Sequence, residues 1–313
     1  MKDGLPIVLV TGASGFVGQH MARALARNGW AVRRAVRTAS GSDDEVVIES
    51  IGPTTEWQQA LVGVDAVVHL AARVHHQHEE NAVELYRSIN LEGTLQLARS
   101  AANAGVREFI FVSTVLVHGR TNNFRAPFCE SDTLTPRGLY GMSKAAAEVG
   151  LMTLTQSSTM NATVVRPPLV YGSGAKGNFA LLTKAVKVGV PLPLGRIDNR
   201  RAFLAIENLT SFVQHRLSHP GAKFDTFLVA DQEQVSTPEF IRRLAKAAGT
   251  SPRLFSIPPR LLTALLNVSG RKEINDSLVG SLELDLSKAA STGWRPQVTL
   301  DEGLDLALRA PDS

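Results

Sequence analysis

One cysteine, Cys129, is all this chain carries, so an internal disulfide is excluded and a reducing compartment is expected. No apolar run approaches the roughly 20 residues that a membrane-spanning helix needs. Residues 1–10 lack the basic start and long apolar stretch of a signal peptide. Both absences lead to the expectation of a cytoplasmic protein with no membrane partner. The excess of positive charge is small, 33 Lys and Arg against 29 Asp and Glu, and no basic block occurs. That argues against a nucleic-acid partner and suits a surface that meets anionic small molecules. Internal repeats and low-complexity tracts are missing too. What is present is 313 residues, 44% of them hydrophobic, enough for one nucleotide-binding core and a smaller appendage.

The chain is organised around Ile7 to Gly18, IVLVTGASGFVG. Four aliphatic residues suit a buried parallel strand, glycines follow at 12, 15 and 18, and a helix-forming segment, Gln19 to Arg27, comes next. Strand, glycine turn and helix in that order present free backbone N–H groups and a partial positive charge to a phosphate. Further strands are expected at Ala31–Val36, Val46–Ile48, Asp65–Ala72, Phe109–Thr114, Thr163–Val165 and Thr226–Ala230. Between them lie helices near Trp57–Leu61, from Ala82 to Ala104 with Gly105 closing it, and from Leu139 to about Gln156. This alternation predicts an α/β, doubly wound parallel sheet. Proline and glycine become frequent beyond Tyr171-Gly172. The expected division is therefore 1–173, with a returning segment about 206–231, and a smaller mixed C-terminal lobe of 174–205 and 232–313. Ser236 with Glu239, and Thr299 with Glu302, read as capping boxes.

Three features carry chemistry. Tyr140 and Lys144 lie four apart, on one face of a helix, where an ammonium would lower the phenol's pKa toward neutrality. Ser113 and Thr114 end a strand, where ligands bind in open α/β sheets. The second strand ends in Arg37 rather than an acidic residue, with Arg33 and Arg34 upstream; an arginine there can pair with a ribose 2′-phosphate. Asp43 and Asp44 lie further on as alternative ribose partners. The histidines 75, 76 and 78 lack a second ligand group at zinc-like spacing, so no metal is expected.

TGASGFVG, DAVVHLAA, FVSTVLVHG, YGMSK, RPPLVYG and GWRP, in this order, resemble the extended short-chain dehydrogenase/reductases, the nucleotide-sugar epimerase/dehydratase family. The resemblance implies a Rossmann-type core, a nicotinamide dinucleotide and a nucleoside-diphosphate sugar, UDP-linked, bound by a homodimer formed through the helices starting near Ala82 and Leu139. It implies Thr114, Tyr140 and Lys144 as catalytic residues. It implies cofactor contacts from Gly12, Ser14, Gly15, Phe16, Val17, Arg37, Leu70, Ala71, Ala72, Tyr140, Lys144 and Pro167. Arg73, His75, Ser113 and Thr114 are placed toward the sugar, and Asn178, Arg201 and Arg271 toward the diphosphate.

The departures from the family pattern narrow the reaction. Sugar 4,6-dehydratases look like Thr-Asp-Glu where this chain has Thr114, Val115 and Leu116, so the extra acid and base of dehydration are missing. His118 stands where most epimerases have tyrosine. NADP(H) is favoured by Arg37, with NAD(H) the alternative. The favoured activity is 4-keto reduction of a UDP-4-keto-6-deoxy-N-acetylhexosamine. The alternative is a UDP-hexose 4-epimerase, on UDP-glucose or UDP-N-acetylglucosamine, with tightly bound NAD. A non-catalytic nucleotide-binding sensor is the third reading.

Overall fold

A computed structural model describes residues 4–74, 79–258, 261–264 and 272–309. The chain divides into two compact units. The first takes Met1–His118, Thr133–Arg166 and Thr210–Phe227, and the second Gly119–Asp132, Pro167–Leu209 and Leu228–Ser313.

The first unit is built on a sheet. Its strands are β1 (Ile7–Thr11), β2 (Ala31–Val36), β3 (Glu45–Val47), β4 (Ala66–His69), β5 (Glu108–Val112) and β6 (Asn161–Arg166). The full seven-stranded order is β3-β2-β1-β4-β5-β6, then the strand Phe224–Leu228. The pairings from β3 through β6 are parallel. Buried parallel strands have both faces covered, which is why β1, β4 and β5 read as unbroken apolar runs. The order reverses between β1 and β4, and in such a sheet that switch point opens a crevice at the carboxyl ends of the strands. Leu9, Val67, Phe109, Phe111, Val164 and Leu151 pack in the core beneath it, each fully buried. Several strands sit one to three residues off their expected ends. β3 begins one residue earlier, though Ile48 still donates to Val36 O at 2.8 Å, and β4 stops at His69 rather than Ala72. β5 begins one residue earlier and stops at Val112, and β6 and the last strand each begin two residues earlier.

Helix α1 (Phe16–Arg27) follows the glycine turn, and α2 (Gln58–Leu61) precedes β4. The segment expected as one helix from Ala82 is in fact three pieces. These are α3 (Ala82–Tyr86), a π-helical turn Arg87–Glu92, and α4 (Gly93–Asn103). A π-turn inserts one residue into the helical stripe, and here the turn's buried residue is the polar Asn90. Gly93 lets the Ile51-Gly52 loop approach the helix backbone; a Cβ there would meet Ile51 Cγ2 at 2.6 Å. Helix α5 (Gly138–Gln156) packs beside this segment.

In the second unit, β7 (Leu169–Tyr171) and β8 (Phe203–Ala205) form a two-stranded parallel sheet. Its aromatic core joins Tyr171, Phe179, Phe203 and Phe240, with the Phe203 and Phe240 rings stacked 3.9 Å apart. Around it lie α6 (Asn178–Val188), α7 (Ile206–Ser218), which runs on into the first unit, α8 (Thr237–Ala247) and the helix Leu300–Leu308. Thr299 makes a complete capping box with Glu302. Ser236 caps α8 from one side only, because the Glu239 carboxylate turns to Arg243 instead. The loop 119–132, expected within the first domain, belongs to this unit. Asn122 and Phe128 tie it to the backbone of Glu283.

Candidate active site

The site begins at Gly12. Its φ of +67° is a left-handed conformation, and an added Cβ would meet Ala71 N at 2.8 Å. Gly18 serves packing: a Cβ there would collide with the Gly12 carbonyl oxygen. Gly15 caps α1 with no side-chain hydrogen bond, and no acidic residue lies in the first turn, so the helix N-terminus is left for an anion. Ser14 and Gly15 are exposed there, and Phe16 and Val17 half-buried. Leu70, Ala71 and Ala72, just past β4, are half-buried alongside. These residues fit the pyrophosphate and sugars of a dinucleotide.

The end of β2 bears on which dinucleotide. Arg33 donates to the carbonyls of Ala60 and Val62, both at 2.8 Å, and so is structural. Arg34 holds Asp44 with Nε to Oδ2 at 2.6 Å, and that guanidinium keeps the Asp44 carboxyl below its usual range. Asp44 is therefore engaged rather than available to a ribose. Arg37 is exposed one residue past the strand and makes no ion pair among the described residues.

Thr114 follows β5. It is buried, and its Oγ1 accepts from Leu116 N at 3.2 Å, capping the short turn Val115–Val117. Gly141, next to Tyr140, packs against that turn; a Cβ there would be 3.0 Å from Leu116 O. Lys144 lies one helical turn on, 1% exposed, with Nζ donating to Val112 O at 2.8 Å and sitting 4.2 Å from the Phe111 ring centre. The fold thus gathers Thr114, Tyr140 and Lys144 where β5 meets α5. Burial lowers the Lys144 ammonium to about 7, partly offset by the Glu148 carboxylate. The expected drop in the Tyr140 pKa is not found. Burial, with a smaller push from Tyr86, holds the phenol above its usual range, so it stays protonated at neutral pH.

Ser113 also departs from expectation. It is 3% exposed, and its hydroxyl donates to Glu148 Oε1 at 2.5 Å, so it is engaged inside the protein rather than offered to a sugar. Glu148 in turn holds Arg166, whose Nη1 donates to His118 Nε2 at 2.9 Å. His118 is thus a buried partner of Arg166. Arg73 pairs with Glu79 and lies over the Tyr86 ring, while its backbone is held by Asn90. Asn90 was not legible as a site residue; its one signal was an amide on the buried stripe of a helical segment.

Pro167 and the diphosphate candidates belong to the second unit. Pro167 is buried directly after β6, and Asn178 is the exposed first residue of α6. Arg201 is half-buried, with Nη1 donating to Gly280 O at 2.6 Å and Asp276 O at 3.0 Å. Burial lowers its pKa to about 10, which leaves it charged at neutrality. His75 and Arg271 lie outside the described residues, as do His76 and His78. Among the described residues no helix is long and apolar enough to cross a membrane, and no cluster of metal-ligating side chains occurs.

A glycine turn feeding an uncapped helix, beside a threonine, tyrosine and lysine at the end of a parallel sheet, defines a dinucleotide-dependent α/β enzyme. The model of the NAD dependent epimerase/dehydratase family matches residues 8–230, and the chain belongs to that family. It is similar to a UDP-glucose 4-epimerase of Vibrio cholerae, 37% identical over 97% of this chain and 94% of the relative. It is also similar to a GDP-6-deoxy-D-mannose reductase of Pseudomonas aeruginosa, 28% identical over 95% of this chain and 94% of that one. Among solved structures, the UDP-glucuronic acid 4-epimerase of Bacillus cereus in complex with NAD has the same fold. Its TM-score is 0.77 at 22% identity, covering 96% of this chain and 94% of the other.

Proposed function

We propose that the protein is a nucleotide-sugar oxidoreductase that reduces the 4-keto group of a UDP-linked sugar, with NADPH as its preferred dinucleotide. The observation that carries this reading is Arg37. It is an exposed cation at the end of β2, where a ribose-binding acid would otherwise stand, while the nearby Asp44 is held by Arg34. A guanidinium there suits a 2′-phosphate. When bound, the nicotinamide supplies the hydride. Tyr140 gives its proton to the sugar oxygen, Lys144 holds the nicotinamide ribose, and Thr114 positions the oxygen by its hydroxyl. The phenol is protonated at neutral pH, so the proton it would give is in place. Val115 and Leu116 offer no acid or base for dehydration. Asn178 and Arg201 are the diphosphate contacts on the second unit.

A second reading is favoured by the 37% identity to a UDP-glucose 4-epimerase. In that reaction the C4 hydride would pass to bound NAD and return to the other face of the sugar, while Tyr140 would take and return the hydroxyl proton and Thr114 and Lys144 would keep the same roles. The experiment that separates the two is a spectrophotometric assay on purified protein. Oxidation of NADPH by a UDP-4-keto-6-deoxy-N-acetylhexosamine is the expected outcome. Co-purified NAD, with interconversion of UDP-glucose and UDP-galactose and no net NADPH use, would replace the reductase reading with the epimerase one.

We further propose a homodimer. Met142, Val149 and Met152 line one stripe of α5, 42–55% exposed, and Val83 on α3 is 59% exposed. A second copy would cover this apolar stripe.

A further inference from the structure

His69 is buried at the end of β4, and the chemistry above does not use it. Its ring stacks on Phe111 at 5.8 Å and lies between two threonines. Nδ1 is 2.6 Å from Thr11 Oγ1, and Nε2 is 2.9 Å from Thr94 Oγ1. Thr11, His69, Thr94 and Asn90 are all at most 1% exposed, so each polar atom must find its partner within the protein.

One proton arrangement satisfies all of them. Thr94 gives its single hydroxyl hydrogen to Asn90 O at 2.7 Å, so its oxygen accepts from His69 Nε2–H. Burial drives the imidazole pKa down to about 3, so the ring is neutral and Nδ1 is an acceptor. Thr11 therefore donates to Nδ1, which turns its oxygen toward Leu70 N at 3.2 Å and Ala71 N at 3.3 Å. Ala71 N is the atom that a Cβ on Gly12 would strike, so the strand end held by Thr11 is the one that abuts the glycine turn.

The other end of the line reaches α5. The Asn90 amide accepts from Arg73 N at 2.7 Å and donates to Arg73 O and to Ser143 Oγ, both at 3.0 Å. Ser143 in turn donates to Tyr140 O at 2.9 Å. The stretch 70–73 is thereby clamped at both ends by one hydrogen-bond system that also grips the first turn of α5.

We propose that His69 is a positioning residue for the dinucleotide, holding Leu70 and Ala71 against the glycine turn through Thr11 and linking them to the Tyr140 turn through Thr94 and Asn90. The proposal rests on the dinucleotide reading above.

The test compares His69→Phe, which keeps a ring against Phe111 but loses both hydrogen bonds, with His69→Gln, which keeps one donor and one acceptor. NADPH and NAD are titrated into cofactor-free protein by fluorescence, and hydrogen–deuterium exchange is followed in the peptide spanning 66–74. The Phe variant is expected to bind the preferred dinucleotide about tenfold more weakly and to exchange faster, with Gln restoring affinity to within about threefold. A folded Phe variant with unchanged affinity and exchange, its losses confined to melting temperature, would overturn the proposal. Should the Phe variant not fold, Thr94→Val removes the far partner and must weaken binding in the same way; unchanged affinity there overturns it equally. Wild-type protein that binds neither dinucleotide would overturn the dinucleotide reading itself, a result distinct from a variant that binds as wild type does.

Discussion

Arg166 grips Glu148 inside the first unit, with Nη2 at 2.6 Å and Nε at 3.1 Å from Oε2, and both side chains are at most 6% exposed. Removing one partner strands a buried charge, whereas removing both leaves only neutral polar groups, the Ser113 hydroxyl and the His118 ring, without those partners. Arg166→Met alone should therefore lose roughly 3–5 kcal/mol in urea unfolding. The double change Arg166→Met with Glu148→Leu should regain most of it. Equal losses in the single and double variants would show that the pair is not acting as a unit.

Lys144 makes stability depend on pH. Its pKa in the folded protein, about 7, lies below its ordinary value of 10.5. The folded state then binds fewer protons than the unfolded chain between these values, so stability rises as pH increases through that window. Lys144→Met should flatten this rise and melt above wild type near pH 6, at the expense of turnover. Melting curves at pH 6 and pH 9 decide it; parallel pH profiles for the two proteins would contradict the assignment.

Tyr140→Phe removes only the phenolic oxygen. Turnover should fall by about 10²–10⁴-fold, the usual worth of a positioned acid. Dinucleotide affinity, measured by titration, should change by less than about threefold. Turnover close to wild type would remove Tyr140 from the mechanism.

Arg37→Asp reverses the charge at the end of β2. A lost charge-assisted bond to a 2′-phosphate should raise the KM for NADPH about 10- to 100-fold while leaving that for NADH little changed. Equal effects on both dinucleotides would mean that Arg37 does not meet the phosphate.

Charging the α5 stripe tests the dimer. Wild-type protein should sediment as a dimer at micromolar concentration, and Val149→Lys with Met152→Lys should sediment as a monomer with turnover of the same order per chain. A wild-type monomer would dispose of the interface.

Much of this was written in local pattern. The sheet strands announce themselves as aliphatic runs because both faces of a parallel sheet are covered, and Gly12, Gly15 and Gly18 mark the turn because a side chain at 12 or 18 would strike backbone. Tyr140 and Lys144 share a helix face by spacing alone. Strand ends were less legible, as β3 shows, because hydrogen-bond register depends on the neighbouring strand.

The chain by itself determined that an anion-binding turn opens an α/β fold and that a tyrosine–lysine pair lies on one of its helices, since both follow from steps of one to four residues. Only the tertiary structure decided what each polar group faces. It turned Ser113 to Glu148 and Asp44 to Arg34, raised rather than lowered the Tyr140 pKa, and drew His69 into a line with Thr11 and Thr94. The physical reason is that burial and hydrogen bonding join groups far apart in sequence, Thr11 and His69 standing 58 residues apart. No local pattern records which partner a buried group will find.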